Sequence, residues 1–172
     1  MSEIRRCRDD EFDTILGIIN SAAERYRGVI PPDRWHEPYM TADALHAEMA
    51  AGVTFWGMDE GGRLIGVMGI QPVRDVVLIR HAYVAPGEQG KGVGGALLQH
   101  LRGNEDRPIL IGTWADASWA IGFYERHGFT LAPRDPVPTL LRAYWSIPER
   151  QVETSVVLSN FPLDGLEAMQ VS

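Results

Sequence analysis

The sequence predicts a single α/β domain. Three observations carry that expectation. Apolar residues recur at three- and four-residue spacing near the N-terminus and again after residue 93, three β-rich runs follow one another between residues 53 and 84, and a glycine-rich loop joins the last of those runs to a helix. A chain of 172 residues can bury about two-thirds of its unfolded surface in one core. Its linkers are too short to set off a second domain.

Taken in order, residues 4–7 read as a short first strand, stopped by the helix-start signal Asp9-Asp10. Phe12, Ile15, Leu16, Ile19, Ala22, Ala23 and Tyr26 then mark a helix with one apolar stripe. Residues 28–39, with three prolines, Trp35 and His36, are expected to be irregular. Thr41 suits the N-cap of a helix through Met49, closed by Gly52. Residues 53–58, 64–70 and 76–84 form an expected antiparallel meander, with turn residues at 59–62 and 72–75 between them. Val93, Ala96, Leu97, His100 and Leu101 mark the next helix, and residues 108–112 an apolar strand. A helix over 116–127 is expected to bury Trp119, Ala120 and Phe123 and to stop at Gly128. A strand at 129–130, a proline-rich excursion through Pro133, Pro136 and Pro138, and a strand at 153–158 complete residues 1–159 as the domain. Residues 160–172 read as a frayed tail.

The net charge of -7, from 16 basic and 23 acidic side chains, excludes nucleic acid and anionic membrane surfaces as expected partners. The basic run Arg5, Arg6, Arg8 is met at once by Asp9, Asp10 and Glu11 and reads as a solvated segment. With Cys7 as sole cysteine, no internal disulfide and no multi-cysteine metal site can form, and no metal is expected. The first 30 residues lack a basic-then-apolar leader pattern, and no apolar run approaches the ~20 residues that span a bilayer. A cytoplasmic setting is the expectation.

The chemistry concentrates in Gly87-Glu88-Gln89-Gly90-Lys91-Gly92-Val93-Gly94-Gly95, set between a strong strand and a strong helix. Such a loop can pass close to an anion and offer it unpaired N–H groups at a helix start. Gly90, Gly92 and Gly95 formally satisfy a dinucleotide fingerprint. That motif should open a βαβ unit and be followed by an acidic residue about 20 positions on, whereas here a meander precedes it and the next strand ends in Ile111-Gly112-Thr113. The P-loop pattern fails as well, because Gly90-Lys91 is followed by glycine and not by Ser or Thr.

Gln89 to Gly94 resembles the pyrophosphate loop of the GNAT acetyltransferases, Gln/Arg-x-x-Gly-x-Gly/Ala, at every fixed position. Tyr83-Val84-Ala85-Pro86 looks like the end of that family's fourth strand, and Phe123-Tyr124 followed by Gly128-Phe129 like its second motif. The resemblance covers the order of elements from about residue 3 to 158. It implies a mixed, twisted sheet splayed at the fourth and fifth strands and flanked by helices, with acetyl-CoA as co-substrate and a small-molecule or peptide amine as acceptor. One departure stands out: the family often carries asparagine where this chain has Ala117, and Ser118 is the candidate substitute.

From the resemblance, Gln89, Gly90, Lys91, Gly92, Val93, Gly94 and Gly95 are expected to hold the diphosphate, and backbone groups of Ala82, Tyr83 and Val84 the pantetheine arm. Tyr124 is the expected general acid for the departing thiolate, since a phenol with pKa about 10 stays protonated at neutral pH. Arg80 occupies the family's substrate-facing strand position, and Trp35, His36 and Trp114 fall where acceptor pockets are shaped. The general base stays open. Arg80 and His81 should lie on opposite strand faces, His81 reads as a satisfied core histidine, and Asp116 and Glu24 are candidates through water. A non-catalytic acyl-CoA sensor is the alternative function. The late strands are a candidate surface for a homodimer.

Overall fold

Because apolar residues alternate across two buried faces, the β-rich runs become one continuous antiparallel meander. The computed structural model describes residues 2–170. Strands β1 (Ser2–Arg6), β2 (Thr54–Glu60), β3 (Arg63–Val73) and β4 (Val76–Val84) pair antiparallel in sequence order. β4 then pairs parallel with β5 (Ile109–Trp114). On the far side, β7 (Ser155–Ser159) lies antiparallel between β5 and the two-residue edge strand β6 (Thr130–Leu131). The sheet order is β1-β2-β3-β4-β5-β7-β6.

Two breaks in this sheet shape the site. Val67 pairs with Tyr83 and Gly69 with Arg80, so Met68 faces both His81 and Ala82. This is a bulge, with His81 in left-handed backbone at φ 53°. Immediately beyond it β4 leaves β5. Only Val77, Leu78 and Ile79 pair with Ile109, Leu110 and Ile111, after which Gly112 to Trp114 stay with β7 and Tyr83 and Val84 stay with β3. The expected splay is present.

Helices cover both faces. α1 (Phe12–Ala22) and α2 (Ala42–Ala50) bury Ile15, Ile19 and Leu45 against Phe55, Leu64 and Val67. On the opposite face, α3 (Val93–Gly103) and α4 (Ser118–Arg126) bury Leu97, Leu98, Ala120 and Tyr124 against Ile79, Ile109 and Ile111. α3 can sit this close because of Gly66, where a Cβ would come within 2.6 Å of Val93 Cγ1.

The sequence reading needs three corrections. The proline-rich excursion contains two helices, α5 (Val137–Tyr144) and α6 (Glu149–Glu153). Pro136 and Pro138 stand at the start of α5, where a missing N–H costs nothing, and Val137, Leu140, Leu141 and Tyr144 form its buried stripe. The tail is also not frayed as far as it is described; residues 171–172 lie outside the described residues. Leu166 and Ala168 are buried in the cluster of α5, β4 and β5, and Asp75 holds the segment by accepting from the Tyr144 hydroxyl at 2.7 Å and from the Glu167 N–H at 2.9 Å. Finally, α4 buries Ala120 and Tyr124, while Trp119 and Phe123 are half-buried.

At the other end, the Arg5 guanidinium donates to both oxygens of Glu11 at 2.8 Å and to Asp59 at 3.0 Å, tying β1 to the 3-10 turn at Asp9–Glu11 and to β2. Glu11 also accepts from the Arg8 N–H at 2.7 Å. The hydrogen bond from Arg5, helped by that from Arg8, outweighs burial and lowers the Glu11 pKa to about 2 from an ordinary 4.5. A folded-state pKa below the unfolded one adds stability above pH 4.5, lost as pH falls through 4.5 toward 2. Glu11→Gln should therefore lower stability at neutral pH and flatten its acid dependence in that window, measured by urea melts across pH. Leu166→Ala should cost about 2–5 kcal/mol as a buried truncation; an unaltered urea midpoint would show that the terminal segment does not pack.

Candidate active site

The site begins with backbone geometry. Gly87, Gly90 and Gly92 have φ of 88°, 80° and 80°, a region costly for other residues, and Gly92 is the N-cap of α3. The first intrahelical bond runs from Ala96 N–H to Gly92 carbonyl. The N–H groups of Val93, Gly94 and Gly95 are therefore left without an internal partner, at the positive end of the helix dipole, with no acidic side chain in the first turn. At Gly94 a Cβ would press on the Phe123 ring at 3.3 Å, so only glycine keeps that approach unhindered. Gln89, Gly90, Gly92, Val93, Gly94 and Gly95 line a cleft of about 440 Å³. Lys91 does not: its ammonium pairs with Glu88 at 2.9 Å on the exposed side of the loop.

Across the cleft stand Trp119, Phe123 and Tyr124 of α4, with Arg126 at its rim. Arg25 lies 4.5 Å above the Trp119 ring and supplies a second cation. Ser118, expected to stand in for the missing asparagine, is exposed and outside the lining; Ala117 is fully buried, and Trp119 forms this wall. The first helix stripe pointed at Tyr26, but nothing in the pattern marked Arg25.

A second, smaller chamber of about 110 Å³ lies between β4, β5 and α5. Tyr26, Ala82, Tyr83 and Tyr124 line both cavities, so the two meet at the gap between the strands. Arg80 and Trp114 line the chamber, together with Tyr39 and Trp145. Trp35 and His36 do not. The Trp35 ring is held outside by Arg27, 4.7 Å above it, and by a hydrogen bond to Glu37 at 2.9 Å, and His36 is exposed. Glu24 pairs with Arg27 at the surface and Asp116 is exposed outside both cavities, so neither base candidate is placed at the gap.

His81 and Arg80 also depart from the expected opposite faces. Both reach Glu48, His81 Nε2 at 2.6 Å and Arg80 at 3.2 Å from the same oxygen, and both line the chamber. The bulge interrupts the two-residue alternation on which that expectation rested. Glu48, on α2, went unnoticed because nothing in sequence links position 48 to position 81.

Burial governs the ionisation of the tyrosines. It pushes the Tyr26 phenol up to about 12 and those of Tyr83 and Tyr124 well above the usual value, so all three stay protonated at neutral pH. Burial acts upward on Glu48 too, but the His81 hydrogen bond and the Arg80 charge outweigh it and keep its pKa below the ordinary carboxylate range. The described residues contain no group of three or more metal-ligating side chains, and none of their helices is long and apolar enough to cross a membrane.

A sheet parted at β4 and β5, with an anion-cradling helix start beside the gap, defines the class as a GNAT-type α/β fold. Residues 51–131, just under half of the chain, match a family model described as an acetyltransferase (GNAT) domain. Similar solved structures include the PaiA N-acetyltransferase of Thermoplasma acidophilum in complex with coenzyme A, with TM-score 0.68 at 16% identity over 94% of this chain and 99% of that one. The ribosomal-protein-S18-alanine N-acetyltransferase of Escherichia coli has TM-score 0.66 at 18% identity over 96% and 99%. A GNAT family acetyltransferase of Brucella melitensis in complex with acetyl-CoA has 0.57 at 24% over 76% and 83%. At these identities the likeness is one of fold. No curated protein matches the chain.

Proposed function

We propose that the protein is an N-acetyltransferase that moves the acetyl group of acetyl-CoA to a primary amine. The supporting observation is the meeting of two cavities at Tyr124 and Tyr83. A sensor that only holds an acyl-CoA needs the cleft and has no use for the chamber beyond it, which favours an enzyme.

The residues fit the coenzyme. Three unpaired N–H groups at Val93, Gly94 and Gly95, with Gly90 and Gly92 free of Cβ atoms beside them, suit a diphosphate, and Arg25 and Arg126 add positive charge at the cleft. Bound acetyl-CoA supplies an activated thioester carbonyl. Ala85 donates to the Ile65 carbonyl, so by antiparallel alternation Tyr83 bonds toward β3 while the peptide groups of Val84 face the side that β5 has left. Those groups can bind the pantetheine arm and donate to the carbonyl oxygen as charge develops there, an effect worth roughly 3 kcal/mol per donor.

Tyr124 acts as general acid. Its hydroxyl has no hydrogen-bond partner among the described residues, and burial keeps its proton in place until the thiolate forms. The phenol protonates the leaving sulfur and regains a proton from the nitrogen as the amide forms. Tyr124→Phe should cut kcat by ~10²–10⁴-fold with coenzyme affinity nearly unchanged, read by thiol release and calorimetry; full kcat would remove the assignment.

The coenzyme assignment has its own test. Coenzyme A at ~100 times its Kd should add about 2.7 kcal/mol of stability, and NAD should add none. Gly92→Ala should weaken the coenzyme effect by forcing the N-cap out of its left-handed backbone. An equal shift with NAD, or no shift with coenzyme A, would defeat the reading.

A further inference from the structure

The acetyl-transfer reading needs a group to take a proton from the incoming ammonium, and the chamber holds one. His81 is one of two non-glycine residues among those described with φ in the left-handed region. The bulge there turns its ring out of regular alternation, toward α2 and the chamber wall. The ring lies near those of Phe55 and Tyr83, at centroid distances of 6.2 and 6.4 Å, and its side chain is 12% exposed. Its Nε2 is 2.6 Å from Glu48 Oε1. Glu48 also meets the Arg80 guanidinium at 3.2 Å, a contact that favours its ionised form.

An ionised carboxylate only accepts hydrogen bonds. The proton between Glu48 and His81 therefore belongs to Nε2, which leaves the lone pair of a neutral imidazole on Nδ1. No other imidazole and no carboxylate lines the chamber among the described residues; its remaining titratable lining groups are Arg80 and the phenols of Tyr26, Tyr39, Tyr83 and Tyr124. Arginine cannot serve as a base, and a phenol keeps its proton at neutral pH, the more so at Tyr26, Tyr83 and Tyr124, which burial raises.

We propose that His81 is the general base that accepts a proton from the acceptor ammonium, and that Glu48 is the positioning residue that fixes its tautomer and stabilises the imidazolium. The proposal rests on the acetyl-transfer reading. The ammonium gives one proton to His81 Nδ1, and the free amine attacks the acetyl carbonyl. The C–N bond forms, the C–S bond breaks, and the sulfur takes a proton from Tyr124. The second proton, shed by nitrogen, returns to Tyr124, while the imidazolium releases the first to solvent.

Two variants and two readouts test this. His81→Asn keeps a residue tolerant of left-handed backbone, and Glu48→Gln removes the charge while keeping an acceptor for Nε2–H. Thiol release from acetyl-CoA would be followed with 2-phenylethylamine, glycinamide and spermidine as probe amines across pH. His81→Asn should lose at least 10²-fold in kcat/KM at neutral pH, with the loss shrinking as pH rises and the amine deprotonates unaided. Glu48→Gln should lose about tenfold, with its pH profile moved. Independently of turnover and coenzyme, ring-nitrogen NMR of the free protein should show His81 protonated at Nε2, and Glu48→Gln should weaken that tautomer preference. Coenzyme binding with a pH profile unaltered in His81→Asn would overturn the dyad and spare the transferase reading, as would an Nδ1-protonated ring. Failure of the wild type to bind coenzyme A, or to release thiol with any of the three amines, would overturn both.

Discussion

Only Val77, Leu78 and Ile79 of β4 hold β5, through Ile109, Leu110 and Ile111, and the site exists because that pairing stops there. Had it continued, the outward peptide groups of Val84 would have been consumed by β5, and Tyr124 of α4 would have met a closed sheet. The bulge at His81 and Ala82 adds twist to β4 and turns it away, while β7 keeps β5 in place with five pairs from Leu110 to Trp114. Left-handed backbone at a histidine carries a cost of order 1–3 kcal/mol. That cost is sustained by the core on both faces of β3 and β4, where Val67, Met68, Leu78 and Ile79 are all buried.

Around the gap the walls are largely aromatic and aliphatic, and this sets the electrostatics. In such surroundings a phenol keeps its proton and a carboxylate survives as an ion only where it is paired. Tyr26, Tyr83 and Tyr124 show the first effect and Glu48, held by His81 and Arg80, the second. Positive charge for an anionic ligand comes from local sources, the α3 start with Arg25 and Arg126 nearby, against a chain whose overall charge is -7. Net charge describes the long-range field and says little about what a site binds.

Much of this was legible in the sequence, in proportion to how local the determinants are. The meander, the α3 start and the glycine loop each depend on residues within a few positions of one another, and they appear close to where the pattern puts them. The α5 and α6 helices were hidden because Pro133, Pro136 and Pro138 dominate the local signal, although two of them occupy helix-start positions where proline is at home. The segment after Ser159 looked frayed because what anchors it, Asp75, lies some 90 positions away. The lining of the two cavities followed the same rule. The glycines were readable, whereas Arg25, Trp145 and Glu48 arrive through tertiary packing, and the one residue that sequence alternation misplaced, His81, sits at the break in that alternation.

That misplacement says how a strand can serve two faces of chemistry. In an unbroken strand, neighbours 80 and 81 would point apart, and only one could look into the chamber. The extra residue lets Arg80 and His81 share one carboxylate on one side of the gap, while Tyr124 arrives from α4 on the other. An imidazole paired with a carboxylate and a phenol raised by burial thus line one chamber from two different elements. Groups in such different surroundings are what the proposed acid and base roles require of one chamber.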